Sequence, residues 1–315
     1  MSSVSPNSEV PRPAPLARLR AEFAARWQLW AVLAVPLLYV VVFKYVPLYG
    51  AQIAFRRYSP AQGMAESPWI GLDNFVRFAT SYNFLRIVGN TLALNFYEIV
   101  AGFPFPILLA LSLNEIRHGK VRKVAQTVTY MPHFISTVVM VSMIIRMLDP
   151  RIGAAAVVLR SVGVEYQNIM GKAEYFRSIY VVSEIWQHTG YGCIVYLAVL
   201  AAVDPNLHEA AIVDGATRFQ RVVHIDVPSL IPTAVILLIL RVGRMMSVGF
   251  EKVYLLQNPL NLRTSEVITT YVYKVGLIQA DFAFSTAVDL FNSTINLLLL
   301  VLVNRLAGRL SEVSL

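Results

Sequence analysis

Asp204-Pro-Asn-Leu-His-Glu-Ala-Ala-Ile-Val-Asp-Gly-Ala-Thr-Arg-Phe-Gln-Arg-Val-Val-His-Ile-Asp-Val-Pro228 is a polar stretch held between two apolar runs, residues 179–203 and 230–249. An apolar run of about 18 to 25 residues with few charges is long enough to cross a hydrocarbon core roughly 30 Å thick. The pattern is therefore span, short loop, span. Within the loop, Asp204 followed by Pro205 makes a cap and a first helical position, and Glu209 falls about one turn later. Gly215, beside Asp214, supplies the left-handed conformation that closes a helix, while Pro228 opposes helix continuity just before the next span. The residues predict a short helix, a tight turn and a second short helix. Ala210 and Ala211 are small enough for a facing surface to approach closely, and Glu209 offers one charge to a basic partner.

Working outward, six apolar segments stand out: residues 28–46, 87–113, 124–147, 179–203, 230–249 and 283–303. Pro36, Pro104, Pro106 and Pro232 lie inside them, and spanning helices tolerate proline as a bend. Composition agrees. Of 315 residues 56% are hydrophobic and 15% charged, against about 25% charged in an ordinary soluble domain, and the mean hydropathy is +0.57. These values exclude most soluble folds and predict one all-α membrane domain over residues 28–306, with a cytoplasmic tail at 1–27 and a short tail at 307–315. The apolar stretch after the Arg-rich start is longer than a signal-peptide core, so the start reads as an uncleaved tail. No internal repeat or low-complexity tract is evident.

The net charge of +8 does not imply nucleic acid, because no basic block is interleaved with aromatics as a stacking surface. Basic loops facing anionic membrane lipids explain it better. Cys193 is the only cysteine, which excludes an intrachain disulfide and a cysteine metal cage. With the N-terminus inside, the inner flanks hold twelve Lys and Arg (four before Trp27, then Arg117, Lys120, Arg122, Lys123, Arg218, Arg221, Arg305 and Arg309). The outer flanks hold nine, Lys252 among them. Such a bias places both termini in the cytoplasm. Three outer connections of about 25 to 40 residues remain, polar yet rich in aromatics, and are expected to fold onto the bundle. In one of them, Trp69-Ile-Gly-Leu-Asp-Asn-Phe75, Asp73 and Asn74 suit a helix cap while Trp69 and Phe75 suit the lipid boundary.

The loop's spacing, Glu-Ala-Ala, three residues, Gly, nine residues, Ile, one residue, then a hydrophobic residue and Pro, resembles the EAA loop of permease subunits of binding-protein-dependent ABC importers. Glu209, Ala210, Ala211, Gly215, Ile225 and Pro228 match, and Val227 replaces the usual leucine. Tyr45-Val-Pro-Leu-Tyr-Gly-Ala-Gln-Ile-Ala-Phe55, Met131-Pro-His-Phe-Ile-Ser136, Ser247-Val-Gly-Phe-Glu-Lys-Val-Tyr-Leu-Leu-Gln-Asn-Pro259 and Thr270-Tyr-Val-Tyr-Lys274 look like the LplB-like oligosaccharide and acidic-polysaccharide branch (alginate or polygalacturonate type). Together the likeness covers residues 29–310. It implies a six-helix type I importer permease (MetI/MalF-like) fold in the bacterial plasma (inner) membrane. It also implies that loop 204–228 forms coupling helices seated in a cytoplasmic ATPase dimer, with a second homologous permease chain and a periplasmic or extracellular substrate-binding protein. ATP and Mg would belong to the ATPase. This chain needs no cofactor, since Gly119-Lys120 and Gly171-Lys172 are followed by Val121 and Ala173 and complete no phosphate-binding loop.

Other chemistries fit less well. In a zinc-protease reading of His208-Glu209 the second histidine would fall at Ile212, the five histidines are scattered over different elements, and no nucleophile motif is present. Neither a metal site nor an enzyme is expected. Glu98, Glu184, Arg241, Arg244 and Asp289 fall inside apolar segments, which leaves a stand-alone transporter driven by an ion gradient as the alternative. For a permease, Arg241 and Arg244 are expected near the middle of the fifth span, where each costs about 2.5 to 3.5 kcal/mol on insertion scales. Three residues apart on a helix they share a face. Either they pair with Glu98, Glu184 or Asp289, or they offer two-pronged donors to the carboxylates of a passing acidic oligosaccharide. Asn292 and Asn296, on the same face of the sixth span as Asp289, would add amide contacts to hydroxyls.

Overall fold

The computed structural model describes residues 25–163 and 165–310. Of the expected tails, 1–24 and 311–315 lie outside the described residues, whereas 307–310 do not form a tail but continue the last helix. No β-strand occurs among the described residues; an isolated bridge joins Arg56 to Trp69. The chain divides into two units, Met1–Gln52 and Ile53–Leu315.

In the first unit, helix α1 (Trp27–Val40) carries Pro36 and runs on through a π-helical turn, Val41–Tyr45. Pro47 follows that turn; a proline removes one backbone donor and crowds the preceding turn, and the wider π-turn accommodates it without ending the helix. No residue of α1 is buried, as suits an apolar helix whose solvent is lipid.

In the second unit, which starts at Ile53, a single helical turn at Gly63–Glu66 precedes a short helix, α2 (Asp73–Ala79). Asn74 does not cap it. Its amide nitrogen instead donates to the carbonyls of Ala54 and Arg56 at 2.8 and 3.3 Å, while Trp69 stacks on Phe55 at 5.5 Å. Helices α3 (Phe84–Gly102) and α4 (Pro104–Asn114) make one 31-residue span, because Phe103 keeps helical dihedrals and Pro104 sits at a first position where no donor is required. The third segment is not one straight helix. Helix α5 (Gly119–Tyr130), extended by a 3₁₀ turn to Phe134, meets α6 (Thr137–Met147) at 95°. Ile135 and Ser136 are extended there, and the Ser136 hydroxyl accepts from the Val139 N–H, starting a new helix. Beyond helix α7 (Ala154–Ser161), helix α8 (Phe176–Ala201) spans without a break. It crosses α5 so closely that a Cβ on Gly190 would lie 1.9 Å from the Thr129 carbonyl oxygen.

The loop after α8 holds α9 (Pro205–Val213) and α10 (Arg218–Arg221). Here the structure corrects two expectations. Pro228 does not interrupt the chain: α10 continues through a π-turn, Val222–Asp226, into α11 (Val227–Val242), a single helix of 25 residues. The wide turn absorbs the proline, and the Ser229 hydroxyl donates to the Ile225 carbonyl at 2.7 Å. The fifth span accordingly starts and ends earlier than residues 230–249. The helix stops at Val242 because Gly243 packs against Leu300, and Asn296 secures the following turn by accepting from the Met246 N–H at 2.9 Å and donating to the Ser247 hydroxyl at 2.8 Å.

The connection from the fifth to the sixth span folds back into the bundle as α12 (Phe250–Leu256) and α13 (Ile268–Tyr273), before α14 (Phe282–Leu310). Val253, Leu256, Val267 and Ile268 are buried. Asn90 on α3 donates to the carbonyls of Arg263 and Glu266, and Arg86 pairs with Glu266 at 2.7 Å. Among the described residues, four continuous helices are long and apolar enough to cross a membrane, and the bent pairs α5–α6 and α8–α9 bring the number to six if each counts as one span.

Candidate functional sites: a helix–turn–helix loop and a charged cavity

The loop between α8 and α11 has the geometry of a projecting knob. The Asp204 carboxylate accepts from the Asn206 N–H at 2.9 Å and starts α9, which leaves the axis of α8 at 70°. Gly215, at φ +79, ends α9, with the Ala216 N–H reaching back to the Ala211 carbonyl at 2.9 Å. Thr217 and Gln220 then cap α10 reciprocally. Glu209, Ala210 and Asp214 are exposed, Ala211 and Ile225 half-buried, and Pro228 exposed. Glu209 has no hydrogen-bond partner among the described residues. Leu207, Val213 and Phe219 present apolar surface around it, Val213 at 87% exposure and Phe219 at 77%.

A second concentration of chemistry lies among α3, α8, α11 and α12. A cavity of about 440 Å³ there is lined by Asn95, Glu98, Glu184, His188, Arg241, Arg244 and Lys252. Arg241 is in the last turn of α11 and Arg244 in the turn beyond Gly243. They are therefore not a pair on the middle of one helix face, as the apolar pattern predicts, yet the break at Gly243 turns both into the same cavity. Among the described residues, no carboxylate comes within ion-pair distance of either arginine. Glu184 is engaged elsewhere, with Lys252 Nζ at 2.8 Å and His188 Nε2 at 3.2 Å. His188 Nδ1 lies 3.1 Å from His133 Nδ1, and His133 stacks on Tyr191.

The other expected pathway residues are not gathered here. Asp289 sits on an exposed face of α14, the Asn292 side chain is buried with its carbonyl oxygen unpartnered, and Asn296 serves the turn after α11. Lys252 was missed by the charge pattern, which counts it with the outer flank; it is 3% exposed and forms part of the cavity wall. Its place in the stretch Ser247–Pro259 was the available signal. No group of three or more His, Cys, Asp or Glu is placed to hold a metal among the described residues.

An all-α bundle of broken and continuous spans, carrying a capped helix–turn–helix loop and a polar cavity, defines a membrane permease. Comparison with known proteins says which kind. Residues 102–312 match the family of binding-protein-dependent transport system inner membrane components, and the chain belongs to that family. It is 39% identical to Protein LplB of Bacillus subtilis over 91% of this chain and 90% of that one. To the polygalacturonan/rhamnogalacturonan transport system permease protein YteP of the same organism it is 42% identical, over 87% and 86% of the two chains. A chain in the crystal structure of a bacterial ABC transporter involved in import of the acidic polysaccharide alginate superposes with a TM-score of 0.87 at 37% identity, covering 93% of this chain and 99% of that one. The protein is thus a sugar-type ABC importer permease, a transport subunit rather than an enzyme. That membership removes the reading as a stand-alone ion-driven transporter.

Proposed function

We propose that this chain forms half of the translocation pathway for an acidic, uronate-containing oligosaccharide, paired with a second homologous permease chain and fed by a periplasmic or extracellular binding protein. Both termini face the cytoplasm. Loop 204–228 docks on a separate ATPase dimer, which binds ATP and Mg. Glu209, Ala210, Ala211, Asp214, Gly215, Ile225 and Pro228 form the docking knob, and its exposed apolar rim, Leu207, Val213 and Phe219, supports a protein partner there.

The observation that carries the substrate assignment is the unpaired state of Arg241 and Arg244 in a cavity whose nearest ammonium, Lys252, is already matched by Glu184. Guanidinium groups inside a membrane protein need compensation, and a carboxylated sugar supplies it through two-pronged hydrogen bonds. The likeness to YteP and to the alginate importer supports the same class. Of the sixth-span residues, Asn296 acts indirectly by holding the turn beside Arg244. Arg241→Gln and Arg244→Gln, made singly, should lower uptake of a galacturonate trisaccharide at least tenfold while changing uptake of a neutral trisaccharide less than threefold. Equal losses for both sugars would remove the assignment.

A further inference from the structure

Helix α9 has no buried residue, so apolar packing does little to fix its direction. Its covalent links are a 70° bend at one end and a glycine turn at the other, and both act as pivots. One side chain provides a further attachment. His208 Nε2 lies 3.4 Å from Asp226 Oδ1, and the Asp226 side chain is 1% exposed. Neither oxygen of that carboxylate has a hydrogen-bond partner, so the ion-pair contact with His208 is its one close polar contact among the described residues. Asp226 ends the π-turn Val222–Asp226 at the base of α11, so the contact joins the middle of α9 to the foot of the fifth span. With His208 protonated, it is the one cation within ion-pair distance of this buried carboxylate among the described residues, and losing it leaves a buried charge uncompensated.

We infer that the His208–Asp226 pair is a strut that makes α9 and α11 move as one body, so that a push on the loop becomes a tilt of the fifth span. This rests on the reading of loop 204–228 as the ATPase-docking knob. With the turn at Gly215 alone, α9 would swivel under load; a second point of attachment seven residues from that turn removes the swivel. His208 and Asp226 are positioning residues and need not touch the ATPase or the sugar.

The test uses the full chain in its importer complex, in a Cys193→Ser background, with nitroxide labels at Asn206→Cys on α9 and Leu240→Cys on α11. Pulsed electron–electron resonance should give one narrow distance, unchanged by Mg-ATP. His208→Ala combined with Asp226→Asn, which leaves no buried charge behind, should at least double the width and let Mg-ATP shift the distance. The ATPase should still co-purify, while its stimulation by substrate-loaded binding protein falls at least fivefold. His208→Gln, which keeps a donor within reach of Asp226, should retain the narrow distance. An unchanged width in the double variant overturns the strut. Failure of the unaltered complex to retain an ATPase would instead overturn the docking assignment, and the widths measured on the permease alone still decide the strut.

Discussion

Lys252 on α12 places its ammonium 2.8 Å from Glu184 on α8 and 3.0 Å from the Gln187 side-chain Oε1, tying the folded-in outer connection to the fourth span. The pair does two things. It anchors α12 inside the bundle, and it withdraws Glu184 from competition for Arg241 and Arg244. Whether an intramembrane cation is available to a ligand thus depends on which carboxylates are already matched.

Removing one partner of a buried pair costs about 3 to 5 kcal/mol, whereas removing both is often close to neutral. Lys252→Met should therefore lower the thermal unfolding midpoint in detergent markedly, and adding Glu184→Gln should recover most of the loss. If the single and double variants unfold at the same temperature, the pair is not the anchor.

Orientation is open to chemical labelling. Cys193 is fully buried, and Cys193→Ser gives a clean background. Tyr82 is 98% exposed between α2 and α3, and Asn168 and Thr217 are exposed. A membrane-impermeant maleimide added outside intact spheroplasts should modify Tyr82→Cys and Asn168→Cys, and should reach Thr217→Cys only after lysis. Labelling of Thr217→Cys before lysis would reverse the topology and detach the loop from any cytoplasmic ATPase.

The six apolar segments and the loop between the fourth and fifth were legible because run length and turn chemistry are local signals. Asp204, Pro205 and Gly215 each act within a few residues of themselves, and each does in the fold what its type predicts. The misplacements came where a distant contact decides. The fifth helix ends at Val242 because Gly243 meets Leu300 and Asn296 holds the next turn, neither of which is written near residue 243. Pro228 was overruled by a π-turn, which leaves no mark in hydrophobic periodicity. Lys252 was counted as outside because charge statistics read connections as exposed, while α12 folds inward. The spacing of His208 and Asp226, 18 positions apart, acquires meaning only once Gly215 has folded the chain back.

The turn at Gly215 allows a clean separation of backbone conformation from space. Its φ of +79 lies where β-branched residues are strongly disfavoured, yet a Cβ built there meets nothing within 4 Å. Any effect of substitution is therefore conformational and not a clash. Asparagine tolerates the left-handed region far better than valine. Gly215→Asn should keep most of the ATPase stimulation by substrate-loaded binding protein, and Gly215→Val should lose at least nine-tenths of it. Both should insert and be recovered from membranes in equal amount, because the turn lies outside the packed bundle. Glu209→Lys provides the companion measurement: it leaves α9 intact but reverses the exposed charge, so it should weaken ATPase co-purification without altering the backbone. Full stimulation in both Gly215→Val and Glu209→Lys, at normal expression, would show that loop 204–228 does not carry the coupling.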